Sequence, residues 1–165
     1  MMCRYQYVGG ADFNNQAAFN TILTPIAAET DALAFLGTTV TFIVDTDGLL
    51  WIADRHSEHV ACARGGDVLS AGEMTFGNED GKVAVVEVTN QSTGYCPEPG
   101  SWPAVAVALD RAGIQHPNGF TQSFLFRRCD SCGQTNIVKE GDFTCAVCGT
   151  ELNQEWNLTH DKRAE

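Results

Sequence analysis

The apolar and polar positions along this chain change period several times, and each change marks an element. From Asn14 to Leu36 the pattern reads as helical. Ala17, Ala18, Phe19 and Ile22 cluster before Thr24-Pro25, where Pro25 suits the first turn of a second helix and Thr24 its N-cap. Ile26, Ala27, Leu33, Ala34, Phe35 and Leu36 supply its apolar surface, and Gly37 ends it. Thr39 to Val44 then turns β-branched and aromatic. Asp45-Thr46-Asp47-Gly48 is a turn signature, and Leu49 to Ala53 is the return strand. A second hairpin is expected from Gly72–Phe76 and Lys82–Val88, turning at Asn78-Glu79-Asp80-Gly81. Glu73, Thr75 and Lys82 should face water while Met74, Phe76 and Val83 face inward, although the alternation blurs in the second strand.

Between the hairpins, Asp54 to Ala71 has no clear period. Asn90 to Gly100 is a polar loop with two prolines. Pro103 opens a helix through Ala112 with Val105, Ala108, Leu109 and Ala112 on one face and Gly113 as its stop. Ser123-Phe124-Leu125-Phe126 reads as a strand. The pattern predicts an α+β fold: an antiparallel sheet with N-terminal helices and a small C-terminal unit. The expected division is a body over residues 1–122, a second unit over 123–157 and a polar tail over 158–165.

The C-terminal unit carries the sharpest motif. Cys129-Asp130-Ser131-Cys132-Gly133 and Cys145-Ala146-Val147-Cys148-Gly149 are matched knuckles, read as a zinc ribbon. Thiolate is a soft ligand that suits Zn²⁺, and four of them close a tetrahedron with no open position. Cys129, Cys132, Cys145 and Cys148 are therefore expected to hold a structural zinc. Gly133 and Gly149 supply the left-handed backbone each knuckle needs. The stretch between has room for a hairpin turning at Glu140-Gly141-Asp142. No linker precedes Cys129, so the ribbon should dock on the body, with Ile137, Val138, Phe143, Val147 and Trp156 as its apolar surface.

Composition narrows the function. The chain has 165 residues, 44% of them hydrophobic, enough for a core. No apolar run approaches a membrane span, and Met1 to Gln6 lacks a signal-peptide pattern, so a cytoplasmic protein without membrane association is expected. Cys3, Cys62 and Cys96 remain beyond the four ligands and read as free thiols in a reducing compartment, by default as buried small hydrophobes. The net charge is −11. Such acidity repels phosphate backbones and disfavours a nucleic-acid partner, although Arg127-Arg128 and Lys139 could form a basic strip.

Two polar clusters interrupt the β region: Arg55-His56-Ser57-Glu58-His59 with Cys62, Arg64 and Asp67, and Ser92-Thr93-Gly94-Tyr95-Cys96. They read either as solvated loops or as the halves of a site. His59, Gly65-Gly66, Val68, Ala71-Gly72-Glu73, Gly81-Lys82 and Ser92 to Tyr95 give residues 40–114 a resemblance to a small β-domain. That domain occurs in plant IQ-motif calmodulin-binding proteins, in fungi and in bacterial toxin-like proteins. Its signature is a His-Ser-Ser stretch, a Gly-Gly-x-Val-x-x-Ala-Gly core and a Ser-Gly-His-Tyr end. Here Val60 and Ala61 replace the two serines and Thr93-Gly94 replace Gly-His, so the resemblance implies fold more than chemistry.

Three chemical readings are open. His56-Ser57-Glu58 with Cys129-x-x-Cys132 matches a zinc-deaminase pattern. Cys96 or Cys62 could be a nucleophile with His59 or His56 as its base. His56, His59, Cys62 and a distant Cys96 or His116 could form a second metal site. The preferred reading is an accessory or adaptor protein working through a protein partner. The alternative is a toxin-like or modifying enzyme with His59, Arg64, Asp67, Glu73, Tyr95 and Cys96 as its candidate residues.

Overall fold

A computed structural model describes residues 2–9 and 20–158. Its centre is a five-stranded antiparallel sheet in the order β1-β3-β2-β4-β5. The strands are β1 (Thr24–Ile26), β2 (Thr39–Val44), β3 (Leu50–Asp54), β4 (Ser70–Glu79) and β5 (Lys82–Val88). β2 is covered on both faces. Val40, Phe42 and Val44 belong to one apolar cluster and Ile43 to another, because successive side chains point to opposite sides. The first face packs under helix α2 (Trp102–Ala112), whose Val105, Ala108, Leu109 and Ala112 are all buried. The second face, with Ile43, Ala53 and Ala71, packs under the one-turn helix α1 (His59–Cys62), Tyr5, Val68 and Tyr95.

Both expected hairpins form. Asp45 organises the first turn: its Oδ1 accepts the Asp47 and Leu49 amides at 2.9 and 3.0 Å, and its Oδ2 accepts Trp51 Nε1 at 2.8 Å. The second hairpin turns at Asp80-Gly81, both with positive φ (54° and 80°), the geometry a two-residue turn between twisted strands requires. The blurred alternation in β5 has a cause. The register slips between Thr75 and Phe76, opposite Val86, so Val86 and Glu87 are both exposed.

The N-terminal region departs from expectation. The part of the first helix covering residues 14–19 lies outside the described residues. Thr24–Ile26 is a strand, not a helical turn, with Pro25 opposite Trp51. β1 is the sheet's edge, where a residue without an amide hydrogen costs no ladder bond. Glu29–Phe35 is a 3₁₀ helix rather than the expected α-helix. It is held at its start by Asp31 Oδ2 accepting the Ala27 and Ala28 amides, and tied to β5 by Glu29 Oε2 accepting the Val83 amide at 2.8 Å.

The C-terminal unit continues directly from the body. β6 (Leu125–Arg128) pairs antiparallel with β7 (Thr135–Val138) across the first knuckle. Glu140-Gly141 makes the next turn, with φ of 54° and 75° and Lys139 bridged to Asp142. Phe126, Leu158, Val8 and Cys96 form one apolar cluster, so this unit is packed on the body. Trp156 Nε1 donates to the Cys96 carbonyl at 2.7 Å. Arg127, only 4% exposed, donates to Glu98 Oε1 at 3.1 Å and to the Gln154 carbonyl.

Asn90 fastens the polar loop to β6. Fully buried, it donates to the Pro97 and Phe124 carbonyls at 2.8 and 2.9 Å and accepts the Phe124 amide at 2.7 Å. Asn90→Ala leaves three buried backbone groups without partners. It should lower stability by about 3 kcal/mol, read as a lower urea midpoint. A midpoint within error of wild type would show that water replaces the amide.

Candidate functional site

A cleft of about 710 Å³ opens at the seam between the sheet domain and the cysteine-bearing unit. One wall is the turn after β3, with His56, Ser57 and Glu58, continuing into His59 of α1. Glu73 of β4 and the Ser92-Thr93-Gly94 loop form the floor and second wall. Arg128, Gly133 and Thr135 close it from the C-terminal unit, and Tyr7 and Val8 complete the rim. The two polar loops singled out in the sequence therefore do meet, and the strand register explains why. Asp54 pairs with Val40, Val40 with Met74 and Met74 with Val88, so the last residues of β3 and β5 lie on one row across the sheet. Both loops leave from that row.

His59 is the most tightly specified side chain of the cleft. Its Nε2 lies 2.9 Å from the Gly72 carbonyl oxygen. A carbonyl can only accept, so Nε2 carries the hydrogen and Nδ1 is left with a lone pair when the ring is neutral. Nδ1 has no partner among the described residues, and His59 lines the cleft. Burial favours the neutral ring and lowers its pKa below 6.5, while the bond to Gly72 opposes this. Unfolded histidine titrates near 6.5 and binds more protons than the folded ring below that value. The folded state therefore carries no penalty above pH 6.5 and loses stability as pH falls from there towards the folded pKa. The thermal midpoint should drop between pH 7 and 5, and His59→Gln, which can still donate to Gly72, should flatten that dependence. An unchanged slope in the variant would place the titration elsewhere.

Other residues singled out in the sequence sit apart. Tyr95 is fully buried behind the cleft and donates to the Gly66 carbonyl at 2.6 Å; burial raises its pKa. Cys96 is fully buried, with its thiol pushed up to about 12 by desolvation, and Cys62 is buried with its thiol pushed up to about 11. The two belong to different apolar clusters, and neither lines the cleft. Arg64 and Asp67 line a separate hollow of about 310 Å³ with Trp51 and Leu23. His116 is at the far end of α2, with Nε2 2.8 Å from Asp110 Oδ1. Arg127, Arg128 and Lys139 do not make one strip: Arg127 is buried, Arg128 faces the cleft and Lys139 flanks the Glu140-Gly141 turn. Arg128, Thr135 and Tyr7 are cleft residues that sequence reasoning did not single out as such; the one signal was the Arg127-Arg128 pair.

The four C-terminal cysteines converge. Sγ of Cys129 lies 3.5 Å from that of Cys148, and Sγ of Cys132 lies 3.7 Å from that of Cys145, with all four within 4.8 Å of one another. A tetrahedral tetrathiolate with metal–sulfur bonds of about 2.3 Å spaces its sulfurs about 3.8 Å apart, so the set could hold one metal ion. Donors surround it. The Cys132 amide points to Cys129 Sγ at 3.5 Å, the Val147 amide to Cys145 Sγ at 3.4 Å, and buried Asn136 Nδ2 to Cys145 Sγ at 3.5 Å. Such N–H···S contacts favour the charged thiolate. Among the described residues no imidazole joins this cluster, and His56 and His59 form no second convergent ligand group.

Among the described residues no helix is long and apolar enough to cross a membrane. Comparison with protein-family models, curated proteins and solved structures finds no match for the chain. The likeness of residues 40–114 to the plant and toxin-like β-domain therefore rests on the quoted residues alone.

Proposed function

We propose that this protein is an adaptor-type binding module that holds a segment of a protein partner in the seam cleft. A structural zinc on Cys129, Cys132, Cys145 and Cys148 maintains one wall. The single observation that carries this reading is the meeting of residues 56–59, Glu73, the 92–94 loop and Arg128 around one polar cleft. Its volume is in the range of ligand sites generally. The absence of either buried thiol from its lining favours holding a ligand over covalent catalysis. A closed tetrathiolate leaves no position for substrate, so the zinc acts as scaffold.

A second reading, a modifying enzyme working in the same cleft, is favoured by one observation: the anchored His59 ring offers Nδ1 as a proton acceptor. One experiment separates the two. Random peptides displayed on phage are selected against the zinc-loaded full chain and against Thr93→Trp, which fills the cleft from an exposed position. Selected peptides should bind wild type at least tenfold more tightly than the variant and leave with unchanged mass. A mass change would support the enzyme. No enrichment, or indifference to the tryptophan, would overturn the binding reading.

A further inference from the structure

We infer that the cleft is built for a basic stretch of polypeptide, with a lysine or arginine side chain entering between Glu58, Glu73 and His59 and a backbone carbonyl of the same segment meeting Arg128. This rests on the binding reading and adds the chemical class of the partner.

Among the described residues, four polar groups of the cleft have no partner. Among the described residues the ion pairs are His116–Asp110 and Arg127–Glu98. Glu58, Glu73, Arg128 and His59 all line the cleft, and neither carboxylate, the guanidinium nor His59 Nδ1 has a hydrogen-bond or ion-pair partner among the described residues. A charge in a concave, partly desolvated wall interacts more strongly with a ligand charge than the same charge on open surface. The lining holds two glutamates and the His59 ring against one arginine, so acceptors outnumber fixed cationic donors. A neutral His59 adds no positive charge to oppose a cation. The hydroxyls of Ser57 and Thr93 can orient the incoming ammonium or guanidinium. Tyr7 lines the rim, its ring against Gly94, 3.3 Å from where a Cβ would stand. The chain's net charge of −11 acts in the same direction at longer range, drawing basic segments in and slowing acidic ones. Arg128 then supplies what a purely acidic patch lacks, a donor that fixes the register of the bound backbone.

The test is fluorescence anisotropy on the zinc-loaded full chain. The probe is a fluorescein-labelled Gly-Lys-Gly-Arg-Gly-Lys-Gly peptide, compared with the same peptide carrying Ser or Glu at the basic positions. The basic peptide should bind at least tenfold more tightly than the serine peptide, and the glutamate peptide should bind least. E58Q/E73Q should cost at least tenfold, and Arg128→Gln several-fold. The charge-matched control is E79Q/D80N at the β4–β5 turn, about 20 Å along β4 from Glu73. It removes the same two charges and should change affinity less than twofold. If the control weakens binding as much as E58Q/E73Q, the attraction is global and the cleft assignment fails. Equal binding of the serine or glutamate peptide also overturns it. Phage-selected peptides that depend on the cleft but lack basic residues would sink the chemical class while leaving the binding reading standing. Failure of that selection to give any cleft-dependent peptide would sink both.

Discussion

Chelating the zinc proposed for Cys129, Cys132, Cys145 and Cys148 is expected to unfold the chain from β6 onward and to dismantle one wall of the cleft. Structural zinc on four thiolates contributes about 10–16 kcal/mol of apparent free energy at neutral pH. The C-terminal unit has little to replace it. Its own buried cluster is Cys129, Val138, Cys145 and Leu152, and two of those four are among the cysteines proposed to hold the metal. Arg128 precedes the first ligand directly, and Gly133 and Thr135 follow the second within three residues, so the cleft's far wall is knuckle and strand together. Metal loss should therefore remove hydrogen-exchange protection from residues 125–152. It should also release Trp156 from the Cys96 carbonyl, seen as a change in tryptophan fluorescence. The sheet should keep most of its protection, because the face under α2 closes without the C-terminal unit and the other face takes only Trp156 from it. Cys145→Ser should behave likewise, Cys145 being buried and accepting two N–H contacts. Full protection of residues 125–152 after complete metal removal would show that packing alone holds the unit.

Gly72→Ala is expected to be the most damaging single-methyl change in the sheet. A Cβ at Gly72 would stand 1.9 Å from the Thr89 carbonyl oxygen, 2.7 Å from its carbon and 3.0 Å from Asn90 Cα. All three are backbone atoms, so no rotamer change relieves the overlap. The chain leaving β5 must move away from β4, which strains the Thr89 amide bond to the Glu73 carbonyl (2.8 Å) and displaces Asn90 from its three partners. The cost should be about 3–5 kcal/mol. The same carbonyl that orients His59 belongs to Gly72, so any surviving folded protein should show an altered His59 tautomer by nitrogen NMR. Gly100→Ala, where a Cβ meets nothing within 4 Å and φ is not positive, is the matched control and should stay within about 0.5 kcal/mol of wild type. A Gly72→Ala loss below about 1 kcal/mol would mean that the 89–90 segment is free to shift.

Local features were legible wherever a short-range signal decided them. Asp45 to Gly48 and Asp80-Gly81 carry their turns in their own conformational preferences. Helix α2 carries its stop at Gly113, which has φ of 74°. The two C-x-x-C-Gly knuckles place Gly133 and Gly149 at φ of 81° and 79°, as their spacing required. Thr24-Pro25 misled because an edge strand and a helix N-terminus tolerate proline equally, and only the pairing with β3 separates them. The blurred alternation of β5 was visible, but its cause was a register slip against β4, a property of the pair.

The acidic charge, the two hairpins with their turns, the buried face of α2 and the sulfur quartet could all be read from the amino-acid order, since the first is composition and each of the others lies within one short segment of the chain. Tertiary packing was needed to establish that Cys62, Cys96 and Tyr95 are walled in, that Arg127 is engaged by Glu98, and that Arg128 faces His59's cleft. Burial, the tautomer of a ring and the sharing of a cavity depend on distances between residues as far apart in the chain as His59 and Arg128. Those distances exist only once the sheet has closed and the C-terminal unit has packed against it.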